Sequence, residues 1–189
     1  MNGPASFPGS GNTTRAGDDG APPLEPLTLS TGAYLQHLGT LADEAIDLAP
    51  AALALAAPDH PARPLGDHLA HLDAIAAAMR AATSASASVD MQSSALIEVM
   101  AKTFGYSGDI ETYDDMRNAD LVSVIDRRRG LPVALGILYM HAVRAYGGQV
   151  VGLAFPAHFC LRLEARGQRL ILDPFEAVML SAQDLRARL

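Results

Sequence analysis

Gly130-Leu131-Pro132-Val133-Ala134-Leu135-Gly136-Ile137-Leu138-Tyr139-Met140-His141-Ala142-Val143-Arg144-Ala145-Tyr146-Gly147-Gly148 runs straight into Gln149-Val150-Val151-Gly152-Leu153-Ala154. The change of period between the two decides the fold class. In the first run Leu135, Leu138, Tyr139, Ala142, Val143 and Tyr146 recur at spacings of three and four, one face of a helix. Pro132 suits its first turn, where no backbone donor is lost, and Gly147-Gly148 ends it. Val150 to Ala154 then reads as a strand. Ala157 to Glu164 and Arg169 to Asp173 read as a hairpin around Ala165-Arg166-Gly167-Gln168. The expectation is one long helix packed on a small antiparallel sheet.

Upstream, residues 30–126 carry a helical period. Leu35, Leu38, Ala42, Ala45 and Ile46 follow the cap candidates Ser30 and Thr31. Asp67 is a cap candidate for a helix presenting Leu69, Leu72, Ile75, Ala76 and Met79. Ser93 or Ser94 would cap another, with Leu96, Val99 and Met100 inside and Gly105 as its stop. Asn118 would start a shorter one bearing Leu121, Val122 and Ile125. The patch Ala81 to Ser88 reads as a loop. Residues 1–28 hold five Gly and five Pro and too few large apolar side chains to offset chain ordering, so they are expected to be disordered. The fold class expected is α+β, with one domain over 29–189: a helical part, 30–126, and a helix-plus-sheet core, 127–185.

Composition narrows the function. The chain has 189 residues, 49% hydrophobic and 19% charged, enough for a real core in one domain. A net charge of −7 argues against nucleic-acid binding carried by bulk electrostatics. The single cysteine, Cys160, excludes an internal disulfide framework and any cysteine-based zinc site, and suits a reducing cytoplasm. No segment reads as a secretory signal. The longest apolar stretch, Ala49 to Pro58, is too short to cross a bilayer. A cytoplasmic protein without membrane contact is expected.

On the expected strand 157–164, His158, Cys160, Arg162 and Glu164 share one face. Closing the hairpin at 165–168 sets Cys160 opposite Asp173, with His158 as Asp173's diagonal neighbour, within reach of a hydrogen bond. A histidine oriented by an aspartate is the base half of a nucleophilic triad. An aspartate beside a histidine on a sheet edge is more often a satisfied polar pair.

Three motifs resemble one family. Arg127 to Leu135 is similar to the "rRxGiPisL" stretch of the SirB-type transglutaminase-like proteins of bacteria. Phe155-Pro156-Ala157-His158-Phe159 resembles their "fPGHF", and Leu172-Asp173-Pro174-Phe175 their "iDPF". Tyr113 to Asn118 and Val124 to Arg127 resemble the upstream "Y-D-x-x-N … V-L-x-R". The resemblance covers about residues 50–185 and implies a papain-like core. Active enzymes resembling this core carry a cysteine at the start of the core helix, whereas Pro132 stands at that place here. Ala157 replaces the usual Gly, and Ala119 follows Asn118 where Ser is usual. The helical C-terminal extension of many relatives is expected to be absent.

Other candidates compete with these. Cys160 on a strand lacks a helix dipole to activate it and is more simply a small buried hydrophobe. His60, His68 and His71 could approach a metal, but i, i+3 spacing also describes any solvated helix face. His141 reads as a packed residue of the core helix. The Arg127-Arg128-Arg129 run, next to Asp126 and Asp120, could bind a phosphate or acidic peptide, but a charged helix end or salt-bridged loop is the simpler reading. The function expected is a catalytically inactive transglutaminase-like domain acting through a protein or peptide partner, with no cofactor and no metal. The alternative is a hydrolase or acyltransferase using Cys160 with His158 and Asp173, and a third reading is a purely structural pair.

Overall fold

The computed structural model describes residues 31–155 and 158–187; the 1–28 segment lies outside them. In chain order the described elements are α1 (Thr31–Leu38), α2 (Leu48–Ala56), α3 (Gly66–Ala82), α4 (Val89–Ile97), β1 (Ser107–Gly108), α5 (Leu121–Arg127) and β2 (Arg129–Gly130). They continue with α6 (Pro132–Ala145), β3 (Gln149–Phe155), β4 (His158–Ala165), β5 (Gln168–Asp173), β6 (Val178–Leu180) and α7 (Ala182–Ala187). The fold is α+β.

Helix α6 is the centre. Leu135, Leu138, Tyr139, Ala142 and Val143 have no exposed surface, and Ala134, Gly136, Met140 and His141 are also buried. A helix apolar on nearly every side must be enclosed. Here α3 packs along one flank and β3 and β4 along another. The sheet contributes Leu161, Leu163 and Leu172, all fully buried. Burying each such leucine contributes about 1.5–3 kcal/mol.

The four-stranded sheet has the order β3-β4-β5-β6, antiparallel throughout. Ala165 pairs with Gln168, leaving Arg166 and Gly167 as the two turn residues. Both have positive φ, 51° and 76°, the primed geometry whose twist matches the flanking strands. That turn sets Leu161 opposite Leu172. A separate parallel bridge pairs Ser107 with Arg129 and Gly108 with Gly130, tying the start of α6 to the preceding loop.

Four helix boundaries differ from the periodic reading. Helix α1 stops at Leu38, where the Thr40 hydroxyl donates to the His37 carbonyl, so Ala42, Ala45 and Ile46 fall outside it. Helix α3 begins at Gly66, with Leu65 at the cap position and Asp67 inside the first turn. Helix α4 starts earlier than expected, on Ser88, whose hydroxyl accepts from the Met91 N–H. Ser93 is instead a helix-interior residue with its hydroxyl on the Asp90 carbonyl. Helix α5 is capped by Asp120, which accepts from the Ser123 N–H at 2.6 Å, and Asn118 belongs to the turn before it.

Candidate functional site

The turn that opens α6 is held from below. Leu131 N–H donates to the Asn118 carbonyl at 2.9 Å, and Asp109 N–H to the Gly130 carbonyl at 3.3 Å. Asn118 has no exposed surface and Asp109 is buried. Arg127 joins them: Nη1 donates to Asn118 Oδ1 at 2.9 Å and Nη2 to Asp109 Oδ2 at 2.7 Å. Thr112 donates to Asp109 through both its N–H (2.9 Å) and its hydroxyl (2.7 Å). Hydrogen bonds from Thr112, with Arg127 and Asn118 adding to them against burial, hold the Asp109 carboxyl down at about 2. The arginine triplet therefore divides its work. Arg127 belongs to this network, Arg128 turns toward His71 and Tyr106, and Arg129 lies exposed against the Gly105 and Arg128 carbonyls.

Above the turn, Pro132 is the first residue of α6. It offers neither a backbone donor nor a nucleophilic atom. Val133 beside it is 53% exposed. The helix meets the sheet one turn further on, where the Phe159 ring fills the space next to Gly136 and Gly152. His158 precedes Phe159 at the start of β4 and is exposed.

The hairpin register, continued one pair beyond Leu161–Leu172, sets Cys160 across from Asp173 on the face that also carries His158. The side chains are employed differently. Asp173, 4% exposed, accepts at Oδ1 from the N–H groups of Phe175 (2.8 Å) and Glu176 (3.3 Å), closing the turn into β6. Cys160 is 1% exposed on its strand. Burial, with the Asp173 charge nearby, pushes the Tyr139 phenol up. The structure thus ends the β4–β5 register at Leu161–Leu172, one pair short of Cys160 and Asp173, exposes His158 at the start of β4 and sets Pro132 at the helix start.

The three upstream histidines go to three partners. His60 Nε2 lies 2.9 Å from Asp120 Oδ1, His68 Nε2 lies 3.0 Å from Asp126 Oδ1, and His71 Nε2 lies 2.9 Å from the Tyr106 hydroxyl. Among the described residues no group of three histidine, cysteine, aspartate or glutamate side chains could hold a metal ion. The solvated-face reading does not hold, because His68 is buried and His71 is half-buried. His141 is packed as expected, with Nε2 3.2 Å from the Leu72 carbonyl.

Two features escaped the sequence reading. One is a cleft of about 510 Å³ between α2, the 116–121 turn and α6, lined by Leu55, His60, Met116, Leu121 and Ile137 among others. Its walls come from three separated segments, so no local motif announces it. The exposed Leu55 (66%) and Met116 (82%) at its mouth carry the only local signal. The other is Asp109, which forms the floor of the α6 turn although no motif marked it.

Known proteins place the chain. The family model described as the transglutaminase-like superfamily matches residues 66–189. A UPF0162 protein of Vibrio cholerae is 38% identical over 94 residues, 49% of this chain and 35% of the relative. A UPF0162 protein of Xylella fastidiosa is 29% identical over 153 residues, 80% of this chain and 54% of the relative. The mouse F-box only protein 21 is 29% identical over 77 residues, 41% of this chain and 12% of that protein. The chain therefore spans between about a third and a half of the bacterial relatives it matches. No solved structure matches. No helix among the described residues is long and apolar enough to cross a membrane. With the family model covering well over half its length, the chain belongs to the transglutaminase-like superfamily.

Proposed function

We propose that this is a SirB-type transglutaminase-like domain that works by binding a protein or peptide and performs no acyl transfer. The observation that carries the reading is Pro132 at the first residue of α6. A thiol there would be activated by the helix N-terminus, and proline removes it. The remaining thiol, Cys160, is 1% exposed and lies on a strand rather than at a helix N-terminus. What the fold retains is the surface around the start of α6, with Val133 exposed beside Pro132.

The test is amine incorporation into an acyl-donor peptide by the purified chain, repeated with Cys160→Ala. The expected result is no turnover in either. Turnover lost in Cys160→Ala would make Cys160 the nucleophile, with His158 and Asp173 as its partners, and would replace the binding reading with the enzymatic one. In parallel, a protein recovered on the wild-type chain should be released by Val133→Glu, which changes the surface next to Pro132 without entering the core. Recovery unaffected by that change would place binding elsewhere.

A further inference from the structure

We propose that the pocket between α3 and the segment joining α5 to α6 binds a small oxyanion, a phosphate or carboxylate group, on the guanidinium of Arg128. The pocket measures about 490 Å³ and is lined mainly by polar side chains: Arg63, Asp67, His68, His71, Asp126 and Arg128. Its lining residues are different from those that hold the α6 turn and from those of the sheet.

Arg128 is built into this place with some force. It ends α5 in the left-handed conformation, φ 58°, where glycine or asparagine is the usual choice. Strained backbone persists where its surroundings over-determine it, and it concentrates at ligand sites. The side chain accounts for the choice. Nη1 donates to His71 Nε2 and to the Tyr106 hydroxyl, both at 2.6 Å, and the guanidinium lies 5.0 Å from the Tyr106 ring centroid. All these partners are neutral. Burying a cation without an opposite charge is costly; Arg128 is half-buried, and among the described residues no carboxylate pairs with it.

The two acids of the pocket do not fill that role. Asp126 is engaged by Arg63 and His68. Asp67 is exposed at the mouth. A ligand oxyanion is the complement the guanidinium lacks, and its planar fork suits bidentate contact with carboxylate or phosphate oxygens. His71 supplies a reporter. Burial, then Arg128 and His68, lower its pKa to about 4, so it is neutral in the free protein. An anion on Arg128 would offset the guanidinium charge that helps to lower the His71 pKa, and so raise it.

The experiment follows the His71 ring protons by NMR against pH in the full chain, with the resonance assigned through His71→Gln. Inorganic phosphate and acetate are titrated separately at constant ionic strength. The expected result is a saturable rise of the His71 pKa by about one unit or more. Saturation by phosphate alone identifies a phosphate site, and saturation by acetate alone a carboxylate site. Arg128→Gly, which accepts the left-handed backbone, should stay folded and lose the rise. Arg128→Lys serves if that variant does not fold, keeping the charge while losing the fork and at least tenfold in affinity. A His71 pKa unmoved by either anion, or moved equally in Arg128→Gly, would overturn the proposal and leave Arg128 a structural clamp.

Discussion

The ring of Phe159 occupies the space a side chain on Gly136 would need: a Cβ built there falls 2.4 Å from the ring. The same ring closes off Gly152, whose Cβ would lie 2.5 Å away. Helix α6, β3 and the start of β4 therefore approach one another through one aromatic side chain.

Gly136→Ala tests that contact. Alanine favours a helix interior by about 1 kcal/mol over glycine, yet the new methyl must displace the ring. Overpacking of this kind costs about 1–3 kcal/mol. Denaturant unfolding should show net destabilisation. A more stable variant would show that the ring yields freely.

Arg127 is expected to matter through the floor of the α6 turn. Arg127→Met removes the donors to Asn118 and Asp109 and leaves buried acceptors unmatched. The thermal midpoint should fall by several degrees, and by more than for Arg129→Met, whose guanidinium bonds only exposed carbonyls. Equal effects would refute the assignment.

Acid should weaken the same region. The folded Asp109 carboxyl sits at about 2, against an ordinary value of 3.8. A depressed carboxylate contributes stability that is present above its unfolded pKa and lost as pH falls through the folded one. The window is therefore from about pH 4 down to about pH 2. Asp115 adds to it: hydrogen bonds from the Arg117 side chain and N–H hold it at about 2. Urea midpoints measured across this window should converge for wild type and Asp109→Asn as pH falls. A constant gap between them would contradict the linkage.

The helix-to-sheet switch was legible because Leu135, Leu138, Tyr139, Ala142 and Val143 keep a clean period until Gly147. The hairpin register was legible because Arg166-Gly167 can adopt a two-residue turn. The helix starts were misread at Ser93 and Asn118 because their polar side chains look like caps. Both are buried, one bonded back along its own helix and the other spent on a loop. Strand β6 spans only Val178–Leu180, too short to show alternation. Parity set His158 beside Asp173 on one face but could not say that Asp173 would turn its oxygen to the Phe175 and Glu176 N–H groups. Pairings such as Arg127 with Asp109 and Arg128 with His71 join segments 18 and 57 residues apart, beyond any local pattern.

A buried thiol should also be slow. Cys160, 1% exposed, is expected to react with iodoacetamide only as the chain opens. Its labelling rate in native buffer should fall orders of magnitude below the rate in denaturant. Comparable rates would mean an accessible thiol.

The most direct measurement is the intact mass of the protein after exposure to an activated acyl ester, with the modified residue located by peptide mapping. With no nucleophile at Pro132 and Cys160 enclosed, no acyl group should appear on Cys160 on the timescale at which the denatured chain is fully acylated. A stoichiometric acyl adduct on Cys160 in the native protein, abolished by His158→Ala, would contradict the account and establish a working cysteine–histidine pair.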